Sequence, residues 1–287
     1  MLALRSHVAG GPETLSLDTI PDPVPGSGEV VIAVETVALN YPDTLFIRDL
    51  YQARPPRPFA PGSEAVGIVA AVGPDVGTLQ PGDRVIATVA WGALVEQLCV
   101  AETACIPISA TADAGEAAAL MVAYSTSLYA LREVAQIQPG ERLVVLGASG
   151  GVGIAAVQIG RAMGAHVVAA VSTQQKADAA RDSGANTAIV YPRALDERDA
   201  ARAFTAMVKD ACPGGEADVV LDPVGGNYTE PAFRALGWRG RHLVVGFTAG
   251  IARLPLNLPL LKGASLMGVF YGDFARREPD RCRALQA

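Results

Sequence analysis

No run of eighteen apolar residues survives without a charge or a turn former, so the chain offers no transmembrane helix. Its opening stretch, MLALRSHVAGGPE, lacks the apolar core of a signal peptide, and a soluble, unprocessed, cytoplasmic protein is expected. Cysteine is scarce. Cys99, Cys105, Cys212 and Cys282 form no C-x-x-C pair and are too few for a disulfide scaffold, which leaves them as ordinary thiols. No basic cluster is present and the net charge is −6, so neither nucleic acid nor an anionic membrane is an expected partner. No Ser-His-Asp set or pair of carboxylates suggests a hydrolase. The three histidines, His7, His166 and His242, are scattered, and the last two open predicted strands, where a surface or sheet-end histidine is expected.

Glycine and proline, by contrast, are abundant: 30 and 20 residues without periodicity imply many tight turns. With 287 residues, half of them hydrophobic, the chain can bury the cores of two domains. Up to about residue 110, apolar runs of strand length (29–39, 64–73 and 84–90) are separated by turn formers at 21–28, 73–77 and 80–83. That spacing predicts a compact antiparallel β domain, partly a barrel. A helix is expected over 112–135, with Asp113 as its N-cap and Gln138-Pro139-Gly140 as its stop. Beyond it, strands at 166–171, 187–191, 218–222, 241–247 and 265–270 alternate with helices around 174–182, 195–210 and 228–236. Such alternation predicts a doubly wound parallel α/β sheet, a Rossmann fold.

The centre of that second domain is LVVLGASGGVGIAAVQIGRAM (143–163). A buried strand turns directly into a helix through Gly150, Gly151 and Gly153, leaving backbone N–H groups at the helix start able to hold a pyrophosphate. The G-x-G-x-x-G/A fingerprint fits in two registers, Ala148/Gly150/Gly153 or Gly151/Gly153/Ala156. A tight turn also needs glycine without any ligand. The second strand ends Val171-Ser172-Thr173 with no acid to hold a ribose 2′-hydroxyl, and Lys176 follows with a cation that suits a 2′-phosphate. Without a ligand, Lys176 is a solvated residue in a first helical turn.

Across its whole length the chain resembles the zinc-independent quinone oxidoreductase, or zeta-crystallin-like, branch of the medium-chain dehydrogenase/reductase superfamily. The residues that carry the resemblance are ALNYPD (38–43), PGSEAVG (61–67), PGDRV (81–85), VAYSTSLYAL (122–131), GASGGVG (147–153), DPVGG (222–226) and GVFYGDFARREP (268–279). The resemblance implies a GroES-like catalytic domain over 1–118, a Rossmann NADPH-binding domain over 119–271, and over 272–287 the start of a return to the first domain. Relatives usually continue for several dozen residues, so the resemblance implies a fragment or a shortened protein.

Zinc-dependent members place a cysteine where this chain has Asn40 and a histidine where it has Ser63, so no metal is expected. The resemblance assigns catalytic roles to Asn40, Asp43, Tyr51 and Thr126. It assigns cofactor contacts to Asn40, Thr126, Ser149, Gly150, Gly151, Val152, Gly153, Ser172, Lys176, Tyr191 and Phe247. By residue type alone, Asn40 and Asp43 are turn formers and Thr126 an ordinary helical threonine. A further tyrosine of some members is Leu45 here. Hydride transfer from NADPH to a quinone or conjugated carbonyl is the implied reaction. Enoyl-thioester reduction, as in an acryloyl-CoA-like reductase, and NADPH binding without turnover stay open. A homodimer through the sheet edge at 265–270 is also implied.

Overall fold

A computed structural model describes residues 1–192, 194–195 and 197–286; Arg193, Asp196 and Ala287 lie outside the described residues. The chain divides into two compact units, Met1–Val122 and Ala123–Ala287.

In the first unit, β1 (Leu2–Ser6) and β2 (Leu15–Thr19) form an antiparallel pair. A five-stranded sheet is built from β3 (Glu29–Ala38), β4 (Glu64–Val72), β5 (Arg84–Thr88), β6 (Gln97–Ala101) and β7 (Cys105–Pro107), in the order β6-β3-β4-β5-β7. Every pairing in it is antiparallel. Alternate residues Val30 and Ile32 of β3 meet Val69, Val85 and Leu98 in a core from which water is almost wholly excluded. The β3–β4 register shifts twice, which bends the sheet. Gly67 lies where the strands crowd: a Cβ there would sit 2.2 Å from the Ala33 carbonyl oxygen.

Helix α1 (Tyr41–Phe46) occupies the segment read as a turn, and α2 (Ala114–Ala118) and α3 (Leu120–Leu128) replace the single long helix expected over 112–135. Asp113 caps α2 as expected, accepting the Glu116 N–H at 2.9 Å. After α3 the chain loosens into a π turn, Tyr129–Val134, in which the Ala135 N–H reaches the Ala130 carbonyl at 2.9 Å.

The second unit is a six-stranded sheet of β8 (Arg142–Leu146), β9 (His166–Val171), β10 (Thr187–Val190), β11 (Ala217–Asp222), β12 (Leu236–Val244) and β13 (Ser265–Gly268). Its order is β10-β9-β8-β11-β12-β13, and every pairing is parallel. Leu143 and Val145 of β8 pack with residues of α4 (Gly151–Ala162) and α5 (Gln174–Asp182). Val144 and Leu146 point the other way, toward α6 (Arg198–Ala211) and α7 (Thr229–Arg234). A strand apolar at every position is thus covered on both faces. Because β8 lies between β9 and β11, the crevice where the strand order reverses opens at its C-terminal end.

Helices α8 (Asn257–Lys262), α9 (Tyr271–Arg277) and α10 (Pro279–Gln286) complete this unit. Strand β12 starts five residues before the predicted one, within the stretch read as the end of a helix. No helix among the described residues is long and apolar enough to cross a membrane.

Candidate active site

The glycine loop joins β8 to α4. Gly147 turns the chain at φ 58°, the Gly150 N–H returns to the Gly147 carbonyl at 2.9 Å, and α4 begins at Gly151. At Gly153 a Cβ would lie 2.3 Å from that same carbonyl oxygen, so only glycine lets the helix approach its own turn. At Gly150 and Gly151 an added Cβ would meet nothing closer than 3.5 and 3.7 Å, and neither residue has a positive φ. Packing therefore demands glycine at Gly153 but not at these two exposed positions. Bare backbone there is what close approach of a pyrophosphate requires, and the first-turn N–H groups have no partner within the helix. The third glycine of the fingerprint being Gly153, the register is Ala148/Gly150/Gly153.

Two neighbours steady the loop. A Cβ on Gly147 would meet a Val224 methyl at 3.0 Å, which brings the DPVGG turn alongside. Asp222 holds that turn by accepting the Val224 and Gly225 N–H groups at 2.9 and 2.8 Å. Its other oxygen accepts the Thr229 hydroxyl at 2.6 Å and lies 3.1 Å from His242 Nε2. Burial alone would raise the Asp222 pKa, but the His242 partner and the surrounding donors leave it below the ordinary range. His242 is therefore no sheet-end residue: β12 begins earlier than expected, and the imidazole is fully buried. The second neighbour is Tyr191, expected to touch the cofactor. Its ring is buried against Phe204 and Tyr228 at 5.4 and 4.9 Å. Burial pushes its hydroxyl up to about 12, and a hydrogen bond with the Gly147 backbone opposes that rise.

At the end of β9, Lys176 Nζ stands 3.4 Å from Ser172 Oγ, while Thr173 caps α5 by accepting the Lys176 N–H at 3.3 Å. The nearby Asp178 is taken by Gln174 and Arg181. Phe247 follows β12 and is partly exposed. Thr126 lies on α3, and its hydroxyl has no hydrogen bond among the described residues. The adjacent Ser127 Oγ lies 2.9 Å from both the Ala123 and Val152 carbonyls, pinning α3 to the first turn of α4.

In the first unit, Asn40 stands at the N-cap of α1, where its main-chain carbonyl accepts the Asp43 N–H at 3.0 Å. Asp43 is buried and both its oxygens are engaged, by the Asn40 N–H at 2.7 Å and the Gly62 N–H at 3.1 Å. Burial pushes its pKa up against those two bonds. Tyr51 packs its ring on Phe46, 4.6 Å between centroids, and its hydroxyl has no hydrogen bond among the described residues. Burial raises its pKa, so the phenol stays a donor. Sequence reasoning missed Glu64. This carboxylate is 1 % exposed and takes the Asn40 Nδ2 group at 2.8 Å and the Val122 N–H at 2.8 Å. The signal was an acid opening a strand whose following residues are all apolar or glycine.

Residues 26–133 match the family model described as alcohol dehydrogenase GroES-like domain, and 151–285 match zinc-binding dehydrogenase. The mouse quinone oxidoreductase-like protein 2 is 36 % identical over 263 residues, covering 91 % of this chain and 73 % of that protein. This chain belongs to the quinone oxidoreductase branch of the medium-chain dehydrogenase/reductase superfamily. It is an oxidoreductase. The quinone oxidoreductase of Thermus thermophilus, solved also in complex with NADPH, is 31 % identical with a TM-score of 0.82, over 99 % of this chain and 86 % of that one. The CurK enoyl reductase structure is 26 % identical with a TM-score of 0.85, over 99 % and 85 %. Within this branch the glycine loop can be tested by stability alone. Gly153→Ala should lose about 1–3 kcal/mol in urea unfolding through overpacking, whereas Gly151→Ala should stay within roughly 0.5 kcal/mol of wild type. Equal losses would remove the distinction between the packing glycine and the open one.

Proposed function

We propose that this oxidoreductase uses NADPH, without a metal ion, to reduce a quinone or a related conjugated carbonyl. The observation that carries the cofactor choice is the Ser172–Lys176 pair at the end of β9, a strand end that reads Val171-Ser172-Thr173 and so carries no acid of its own to repel a 2′-phosphate. The backbone of Ser149, Gly150, Gly151 and Val152, of which the two glycines are exposed, and the N–H groups of the first turn of α4 would hold the pyrophosphate. Tyr191, buried, would act by holding Gly147 in place; Phe247, partly exposed, would offer an apolar face.

NADPH supplies the hydride. The task of the chain's own residues is then to orient the substrate, exclude water and meet the negative charge that develops on the substrate oxygen. Tyr51 and Thr126 each offer a hydroxyl with no hydrogen bond among the described residues, and Asn40 offers an amide. Asp43, with both oxygens satisfied by backbone, would serve by placing Asn40 rather than by touching substrate. The metal-free reading rests on donor chemistry: Asn40 and Ser63, at the positions of the zinc ligands, are poor substitutes for thiolate and imidazole.

Enoyl-thioester reduction is the second reading, favoured by the likeness to an enoyl reductase structure. Two of the arginines that could form a basic groove for it are already engaged. Arg57 pairs with Asp49 at 2.7 Å and the Ile47 carbonyl at 2.9 Å, and Arg48 donates to the Thr44 carbonyl at 2.9 Å.

A second copy of the chain would add at β13, the edge of its sheet, where Leu256, Leu260, Leu261, Leu266 and Trp238 are exposed on β12, β13 and the chain between them. Sedimentation equilibrium should then give twice the chain mass, and Leu266→Lys should give a monomer; a wild-type monomer at micromolar concentration would sink this part.

The function is tested by a turnover panel with NADPH and NADH against quinones, enones and an enoyl thioester. Lys176→Ala should lose roughly 10- to 100-fold in NADPH affinity and little in NADH affinity. Tyr51→Phe should lower the turnover number on the order of 100-fold with NADPH affinity near wild type. NADPH binding without reduction of any acceptor would leave a binding protein in place of an enzyme.

A further inference from the structure

The Asn40 side chain is tied to a buried carboxylate that a backbone N–H also holds. The Val122 N–H donates to Glu64 Oε2, and Asn40 Nδ2 donates to Glu64 Oε1, each at 2.8 Å. On the other side of Asn40 the Asp43 N–H donates to the Asn40 main-chain carbonyl at 3.0 Å, so this backbone bond places no demand on the side-chain amide. A carboxylate accepts and cannot donate, so ionised Glu64, one oxygen of which already takes the Val122 N–H, can meet the Asn40 amide only at its nitrogen.

We propose that Glu64 is a positioning residue: as a carboxylate it fixes the Asn40 amide with its nitrogen turned toward β4, leaving one N–H to donate to a substrate or cofactor oxygen. This rests on the reading of Asn40 as a site residue in the proposed reaction, and it adds the group that decides which face of the amide is offered. Protonated Glu64 would carry a donor of its own. That hydrogen could be given to the Asn40 side-chain oxygen, and the amide would be released from its single orientation.

The charged group that acts on Glu64 is Asp43 of α1; from the strands beside it, Ala38 of β3 and Thr88 of β5 face it in register. Burial pushes the Glu64 carboxyl above the ordinary glutamate range and Asp43 adds to the rise, while bonds from Asn40, Val122 and Met121 work the other way. A raised carboxylate pKa means that the ionised form, and with it the fixed amide, is lost earlier as pH falls from neutrality.

The test uses the full chain labelled with ¹⁵N in asparagine, with the Asn40 side-chain amide identified by its loss in Asn40→Ala. As pH is taken from neutrality into acid, that signal in the wild type should move with one titration centred above the ordinary glutamate range. In Glu64→Gln it should sit near the acid-form position throughout and not titrate. A wild-type signal unmoved over that fall in pH overturns the proposal without reference to any variant. Persistence of the titration in Glu64→Gln would assign it to Asp43 and also overturn it. Turnover supplies the second readout. Glu64→Gln should lower it about as much as Asn40→Ala, roughly 100-fold, and the double variant should fall no more than about 2-fold further. Costs that multiply would make Glu64 a structural residue only. Failure of the wild type to reduce any acceptor would count against the proposed reaction, while the amide titration would still decide the role of Glu64.

Discussion

Helix α4 starts against the turn that feeds it, so close that a methyl group on Gly153 would lie 2.3 Å from the Gly147 oxygen. The rest of the second unit is arranged around that approach. It sets the free N–H groups of the first helical turn at the C-terminal end of β8, the strand from which the sheet order runs in both directions. Val224 closes one side of the turn and Tyr191 supports it from the core. Through Ser127 the same first turn anchors α3, so the position of Thr126 follows from where α4 begins. A displacement of α4 would move those N–H groups and the threonine together.

Three buried carboxylates respond differently to equally unfavourable surroundings, and their partners explain why. Asp43 and Glu64 are both pushed up, because burial outweighs what amide and backbone N–H donors return. Asp222 ends below its ordinary value, because His242 adds an imidazole that can carry positive charge to the donors around it. Asp222 is thereby suited to a permanent structural charge under the DPVGG turn. Its stabilising contribution is present above the unfolded-state pKa and is lost as pH falls through the lower folded value. Glu64, pushed the other way, gives up its charge earlier as pH falls.

Where chemistry and periodicity agreed, the fold was legible. Leu143 to Leu146 are apolar at four consecutive positions because both faces of β8 are covered, and the parallel sheet followed from that. The Asp113 cap was legible for the same reason: a short acceptor immediately precedes helix formers. Other elements were hidden by tertiary context. Tyr41-Pro42-Asp43 reads as a turn, and a six-residue helix survives there because Asp43 caps its N-terminus and Phe46 is buried at its other end. Trp238 and Arg239, exposed mid-strand with Arg239 at positive φ, concealed the true start of β12 and so the burial of His242. Glu64 stayed hidden because its importance lies in two hydrogen bonds to residues 24 and 58 positions away, which no local pattern records.

The candidate donors are held by different physics, and that difference bears on how the site would respond to its surroundings. Tyr51 is placed by packing: its ring rests on Phe46 beside Trp91 and Phe59, and burial raises its pKa, so the hydroxyl remains protonated and able to donate at any ordinary pH. Thr126 is placed by the helix that carries it and has no titratable partner of its own. On the role proposed for Glu64, Asn40 depends on an ionised neighbour. Within the first unit, then, one candidate donor is conditional on the proposed charge at Glu64 and the other is not. Acidification would act on them separately, releasing the Asn40 amide through Glu64 while leaving the phenol and the packing around it as they are.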